Sequence, residues 1–199
     1  MHLVARWPLD AGAAVRDELL AAYAHPGRGY HDTRHLTEVL DRLDELAAAG
    51  APFEAERVRL AAWFHDGVYD GHRDAEERSA VWAERALRGL VPEQEVAAVA
   101  RLVRLTETHD PADGDDDGAA LCDADLGILA AGADRYADYV ADVRAEYDQL
   151  DETTFRQGRA EVLARLAGHP RLFHTAHARA HWEAAARRNL ETELAALRG

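Results

Sequence analysis

Val58-Arg59-Leu60-Ala61-Ala62-Trp63-Phe64-His65-Asp66-Gly67 is the stretch on which the fold turns. Between Val58 and Phe64 it is apolar on nearly every side, which marks a helix surrounded by protein rather than one with a wet face. It ends in a histidine and an aspartate. Val58, Ala61 and His65 share one face, so the imidazole is expected to point into the core with the carboxylate beside it. A buried carboxylate needs a cation or several hydrogen-bond donors. Read alone, the dipeptide leaves a plainer alternative open, a neutral His65 donating to a backbone carbonyl and Asp66 capping a turn.

A central helix needs others around it, and the flanking sequence supplies them. Alanine, leucine, glutamate and arginine dominate, β-branched residues are sparse, and apolar residues recur at helical rather than alternating spacing. Helices are expected at 10–25, 32–49, 53–66, 74–89, 92–108, 124–131, 134–148, 153–167 and 175–197. In the second of these, Leu36, Val39, Leu40, Leu43 and Leu46 form one buried stripe. Tyr136, Tyr139, Val140, Val143 and Tyr147 form another, read as core rather than as a stacking platform. Phe173, Trp182, Ala186, Leu190 and Leu194 suit a closing helix. At 199 residues the chain fits a single all-α domain.

The charge balance narrows the partners. Asp and Glu number 37 against 23 basic residues, all of them arginine, for a net charge of −14. A nucleic-acid partner is not expected, because such surfaces need clustered positive charge. A small phosphorylated molecule remains compatible with a local arginine pocket, for which Arg34, Arg144 and Arg187 are the first candidates. The single cysteine, Cys122, permits no intramolecular disulfide and fits a reducing, cytoplasmic setting. No segment approaches ~18 uninterrupted apolar residues, and Met1 to Pro8 lack a basic start followed by an apolar run, so no membrane association is expected. Nothing speaks against a homo-oligomer.

Three further segments carry ligand-type residues. Tyr30-His31-Asp32-Thr33-Arg34-His35 opens the second helix; His35 borders its buried stripe, while His31 sits a turn earlier and nearer to solvent. Leu121-Cys122-Asp123-Ala124-Asp125-Leu126 sets two carboxylates among apolar residues at the start of a short helix; Asp123 suits the N-cap, leaving Asp125 available. His109 follows Leu102, Leu105 and Thr106 on a helix face, where it either reaches a pocket or faces solvent. The acidic run 109–118 is read as a solvated loop. Asp113, Asp115 and Asp117 imitate the start of a calcium loop, but the twelfth position is Ala124, where a bidentate glutamate is required.

The order His35, then His65-Asp66, then Asp125, each on or beside a different apolar helix, resembles the HD superfamily of metal-dependent phosphohydrolases. Tyr30-His31-x-x-x-His35, Trp63-Phe64-His65-Asp66-Gly67-Val68-Tyr69-Asp70, Glu76-Glu77-Arg78-Ser79-Ala80, Asp123-Ala124-Asp125-Leu126 and Ala186-Arg187-Arg188-Asn189-Leu190 are similar to a subgroup of small bacterial members. Ala75 stands where that subgroup has asparagine. The resemblance implies an HD-domain-like helical bundle with a divalent ion (Mn, Fe, Co, Ni, Mg or Zn) held by His35, His65, Asp66 and Asp125, with Asp123 the second choice for the last ligand. It also implies hydrolysis of a small phosphate ester or nucleotide by metal-bound water, with Asp66 at the reaction centre. His31 and His109 are then candidates to contact phosphate or leaving group, and Asp70 and Glu76 to orient water. The chemistry agrees: Ser79 is the sole serine, and no activated side-chain nucleophile is visible. Two other functions compete. One is a di-iron oxygenase, in which His31, His72 and His109 would hold a second metal; the other is a non-catalytic module that binds a phosphorylated metabolite.

Overall fold

The computed structural model describes residues 3–71 and 74–199, and among these it contains ten α-helices, two short 3-10 segments and no β-strand. The helices are α1 (Ala13–Tyr23), α2 (Thr33–Ala48), α3 (Ala55–Phe64), α4 (Ala75–Ala86), α5 (Glu93–Leu105), α6 (Asp116–Asp125), α7 (Ala133–Glu146), α8 (Glu152–Gly168), α9 (Ala176–His181) and α10 (Glu183–Arg198). The 3-10 segments are Leu3–Arg6 and Leu126–Ala130.

Helix α3 lies at the centre, as its composition requires. Val58, Leu60, Ala61, Ala62, Trp63 and Phe64 are all buried, and α2, α4, α5 and α6 pack around them. Helix α2 starts where Asp32 caps it: the carboxylate accepts from the backbone N–H of Arg34 (2.7 Å) and His35 (3.2 Å). Its expected stripe is fully buried, and His35 is buried with it. At roughly 1.5–3 kcal/mol for each large apolar side chain, this stripe anchors the position from which His35 projects. Helix α10 closes the fold against α8 and the 126–130 segment, with Ala186, Leu190 and Leu194 buried.

Four expectations fail in detail. The acidic run is not wholly a loop: α6 begins at Asp116, capped by Asp115, whose carboxylate accepts from the Gly118 N–H at 3.1 Å. Acidic residues in a first helical turn face the positive end of the helix dipole, so the same charges that suggest a solvated loop also start a helix. Asp123 is consequently no N-cap; it lies buried in the last turn of α6. The expected helix 124–131 is instead that turn followed by the 3-10 segment, and the expected helix 175–197 is broken at Trp182 into α9 and α10. The imitation calcium loop has its carboxylates turned to different partners, Asp115 to Arg101 and Asp117 to Arg57.

Candidate metal centre

His35 comes from the first turn of α2, His65 and Asp66 from the turn that follows α3, and Asp125 from the end of α6. Their tips converge. The Nε2 atoms of His35 and His65 are 3.0 Å apart. Asp66 Oδ2 lies 3.2 Å from the first and 3.0 Å from the second. Asp125 Oδ1 lies 3.2 Å and 3.5 Å from the same two atoms. Metal bonds of ~2.1 Å set neighbouring ligand atoms about 3.0 Å apart in an octahedron and about 3.4 Å apart in a tetrahedron, and the separations among His35, His65 and Asp66 match such edges.

A second observation points the same way. Asp66 Oδ2 is buried and makes no directed hydrogen bond despite its two imidazole neighbours, an arrangement that hydrogen bonding alone does not explain. His35, His65 and Asp66 thus form a group able to hold a metal ion; Asp125 Oδ1 lies beside both imidazoles but outside that group. Burial pushes the carboxyls up and the imidazoles down, but mutual attraction overrides it. Asp66 and Asp125 are held well below the ordinary carboxylate range, chiefly by the charge of His65. His35 is raised by the neighbouring carboxylates of Asp125 and Asp66, and His65 by the charge of Asp66.

The surrounding groups aim these four. His65 Nδ1 donates to the Ala62 carbonyl at 2.8 Å, so the plain reading of this histidine and the ligand reading are both satisfied, one at each nitrogen. The Tyr23 hydroxyl accepts from the Asp66 N–H at 3.3 Å. Arg28 donates to the carbonyls of His31 (2.9 Å), Asp66 (2.7 Å) and Gly67 (2.8 Å), clasping the loop before α2 to the His-Asp turn. His109 leaves the helix at a left-handed backbone position (φ 53°) and meets Asp125 Oδ2 through Nε2 at 2.8 Å. It therefore orients Asp125 from behind.

Asp123, the alternative ligand, is spent elsewhere. Its oxygens accept from the backbone N–H of His174 and Thr175, both at 2.7 Å, pinning the segment before α9. His31 donates from Nδ1 to Glu146 Oε2 at 2.7 Å, and Glu146 also accepts from the backbone N–H of His31 (2.8 Å) and Gly29 (3.1 Å). Gly29 has to be glycine, because a Cβ there would run into the Asp142 carbonyl of α7. Burial would raise the Glu146 carboxyl, but its bond to His31, the charge of His31 and the backbone donors hold it below its usual value. His31 also stacks on Tyr69, with ring centroids 3.9 Å apart.

The site opens into a cavity of about 690 Å³ whose lining includes His31, Asp66, Glu76, His109 and Asp125. Asp70 directs both oxygens to Arg78 at 2.7 Å in an exposed pair. His72 lies outside the described residues. None of the three arginines favoured from sequence lines this cavity. Arg34 pairs with Glu38 and Asp138, Arg144 with Glu152, and Arg187 with Glu183. The cavity arginines are Arg159 and Arg165 of α8 instead. The tyrosine stripe of α7 is divided: Tyr136 is core, whereas Tyr139, Val143 and Tyr147 also face the cavity. Sequence reading missed Arg28 and Glu146. Both act through contacts 38 and 115 residues away, with no local pattern to announce them.

Comparison with known proteins adds no assignment: no protein family, curated protein or solved structure matches the chain.

Proposed function

We propose that this chain is a divalent-metal-dependent phosphohydrolase of the HD type, acting on a small phosphate ester. The observation that supports this reading most is the convergence of His35, His65 and Asp66, with Asp125 beside the two imidazoles and the buried Asp66 Oδ2 left without a hydrogen bond. A divalent ion bound by these four would supply a Lewis acid that lowers the pKa of water and draws charge from a phosphoryl oxygen. The rest of the chemistry falls to the chain. His109 keeps Asp125 turned so that Oδ1 faces the imidazoles. Glu146 accepts only, so it fixes a proton on His31 Nδ1 and leaves Nε2 as the nitrogen that can hold or release a proton toward a leaving oxygen. Glu76, which lines the same cavity, is available to hold a water.

The di-iron reading has less to draw on. His31 is engaged by Glu146 and His109 by Asp125, and among the described residues the metal-ligand groups gather in one cluster. No helix among the described residues is long and apolar enough to cross a membrane, and a cytoplasmic location belongs to the same proposal. The test is turnover of metal-reconstituted protein on a panel of phosphate esters, with metal stoichiometry and an optical spectrum under oxygen measured alongside. One ion per chain, ester hydrolysis, and oxygen-18 from water in the released phosphate without an acid-stable phosphorylated protein are expected. An oxygen-dependent spectrum with two ions would replace this reading by the oxygenase, and binding without turnover by the non-catalytic module.

A further inference from the structure

Two rows of rings lead away from the metal centre. In the first, Tyr30 packs on His35 with ring centroids 4.6 Å apart, Tyr139 packs on Tyr30 at 4.6 Å, and the Arg159 guanidinium lies over Tyr139 at 4.9 Å. In the second, Tyr69 stacks on His31 at 3.9 Å, its hydroxyl lies 3.4 Å from that of Tyr147, and Tyr147 faces Phe155 at 6.2 Å. Tyr30, Tyr139, Tyr69, Tyr147 and Phe155 all line the cavity. Both rows end on α8, whose cavity face repeats at helical spacing through Phe155, Gly158, Arg159, Val162, Arg165 and Leu166. Val162 is 39 % exposed, an apolar side chain left uncovered on this face. Leu126, Ile128 and Leu150 add to the apolar lining.

The charges on this lining are as informative. Arg159 is neutralised by Glu193, at 2.7 Å, with both side chains nearly buried. That leaves Arg165 on the cavity lining without an ion-pair partner among the described residues, while Asp74, Glu76 and Glu107 belong to the same lining. Among the described lining residues, a chain of phosphates running along the cavity would meet more carboxylate than guanidinium. One phosphoryl group at the metal centre avoids this conflict, and an uncharged apolar body suits the remainder.

We infer that the α7–α8 arm of the cavity binds the leaving group of the substrate, and that the substrate is a monophosphate ester of an aromatic or bulky apolar alcohol. This class rests on the phosphohydrolase reading of the metal centre. Hydrolysis of such an ester breaks the bond from phosphorus to the ester oxygen, forms one to the oxygen of water, and releases the apolar alcohol once its oxygen has taken up a proton. Polyphosphates and compact polyol phosphates leave the arm unused or mismatched.

Gly158 provides the test. It sits on the cavity face, a Cβ there would touch nothing within 4 Å, and leucine is the better helix former, so Gly158→Leu obstructs the arm without disturbing the fold. Val162→Glu, at an exposed position, is the second variant. For wild type and both variants we would measure 1-naphthol binding by fluorescence, and kcat and KM for 1-naphthyl phosphate, glycerol phosphate and ATP. Wild type should bind naphthol and prefer naphthyl phosphate in kcat/KM by about tenfold or more. Each variant should weaken naphthol binding and raise the naphthyl phosphate KM by a similar factor, with kcat little changed. A wild type that hydrolyses glycerol phosphate or ATP at least as well, or whose naphthol binding ignores both variants, overturns the inference and leaves the phosphohydrolase reading standing. Naphthol binding that the variants remove, with no ester hydrolysed, overturns the phosphohydrolase reading and the substrate class resting on it.

Discussion

Helices α2 and α8 are nearly equal in length, 16 and 17 residues, yet they spend their apolar side chains in opposite ways. Helix α2 buries a continuous stripe, and His35 rides on it into the candidate metal centre. Helix α8 buries only Phe155 and Leu163 and leaves Val162 and Leu166 along an open cavity. A stripe packed against protein fixes a side chain to within the slack of a close-packed core. A stripe left partly against a cavity is less completely packed within the fold and is free to take a further partner from outside. In the proposed function, the difference separates a rigid side that would place ligands from a receptive side that would take in a molecule.

The comparison breaks most severely if the metal centre is not where the rigid side aims. His65→Ala and Asp66→Ala should each reduce bound metal to under about a tenth of wild type by elemental analysis, and turnover with it. Full metal content in both variants would falsify the ligand assignment. Next in size is the anchor of the receptive side. Glu193 accepts from Tyr136 at 2.6 Å and from Arg159 at 2.7 Å, tying α7, α8 and α10 together. Glu193→Ala leaves a nearly buried guanidinium unpaired and should cost about 3–5 kcal/mol in urea unfolding. Metal stoichiometry in the variant below its unfolding transition should stay near wild type, and loss of both together would merge the two sides into one.

His109→Ala sharpens the rigid side. With Asp125 released from behind, metal affinity should fall by about 10–100-fold, read by competition with a chelator, while stability changes little. The smallest expected effect is acid dependence at Glu146. Its carboxyl is lowered in the folded protein, so its contribution is fully present above the unfolded carboxyl value and is lost as pH falls through the lowered folded one. The stability gap between wild type and Glu146→Gln should be widest near neutral pH and should narrow as pH falls below about 4.5. Thermal melts from pH 7 to pH 3 check this, and a gap that widens in acid would reverse the sign of the argument.

The same division governs what could be read from the sequence. The stripe of α2 and the all-round apolar α3 were legible because burial leaves a period, and His35, His65 and Asp66 stand in or beside those patterns. Asp125 was legible only as one of two aspartates. What separates it from Asp123 is the backbone of His174 and Thr175, about 50 residues on. Helix α8 was legible as a helix but not as a cavity wall, since Gly158, Arg159 and Arg165 interrupt its apolar face and the same spacing would suit an ordinary surface. Arginine roles were the least legible: a guanidinium reaches several carbonyls or carboxylates on a long stem, so its partner is set by tertiary placement, as with Arg28 and Arg159.

Cys122 is fully buried in α6, and burial pushes its thiol well above the ordinary range. Since it is the sole cysteine of the chain, the folded protein offers maleimides and disulfide reagents almost no nucleophile. A single Val162→Cys exchange at the rim of the cavity would therefore create one addressable position. A fluorophore or spin label attached there could report what enters the cavity, with no native sulfhydryl to remove first.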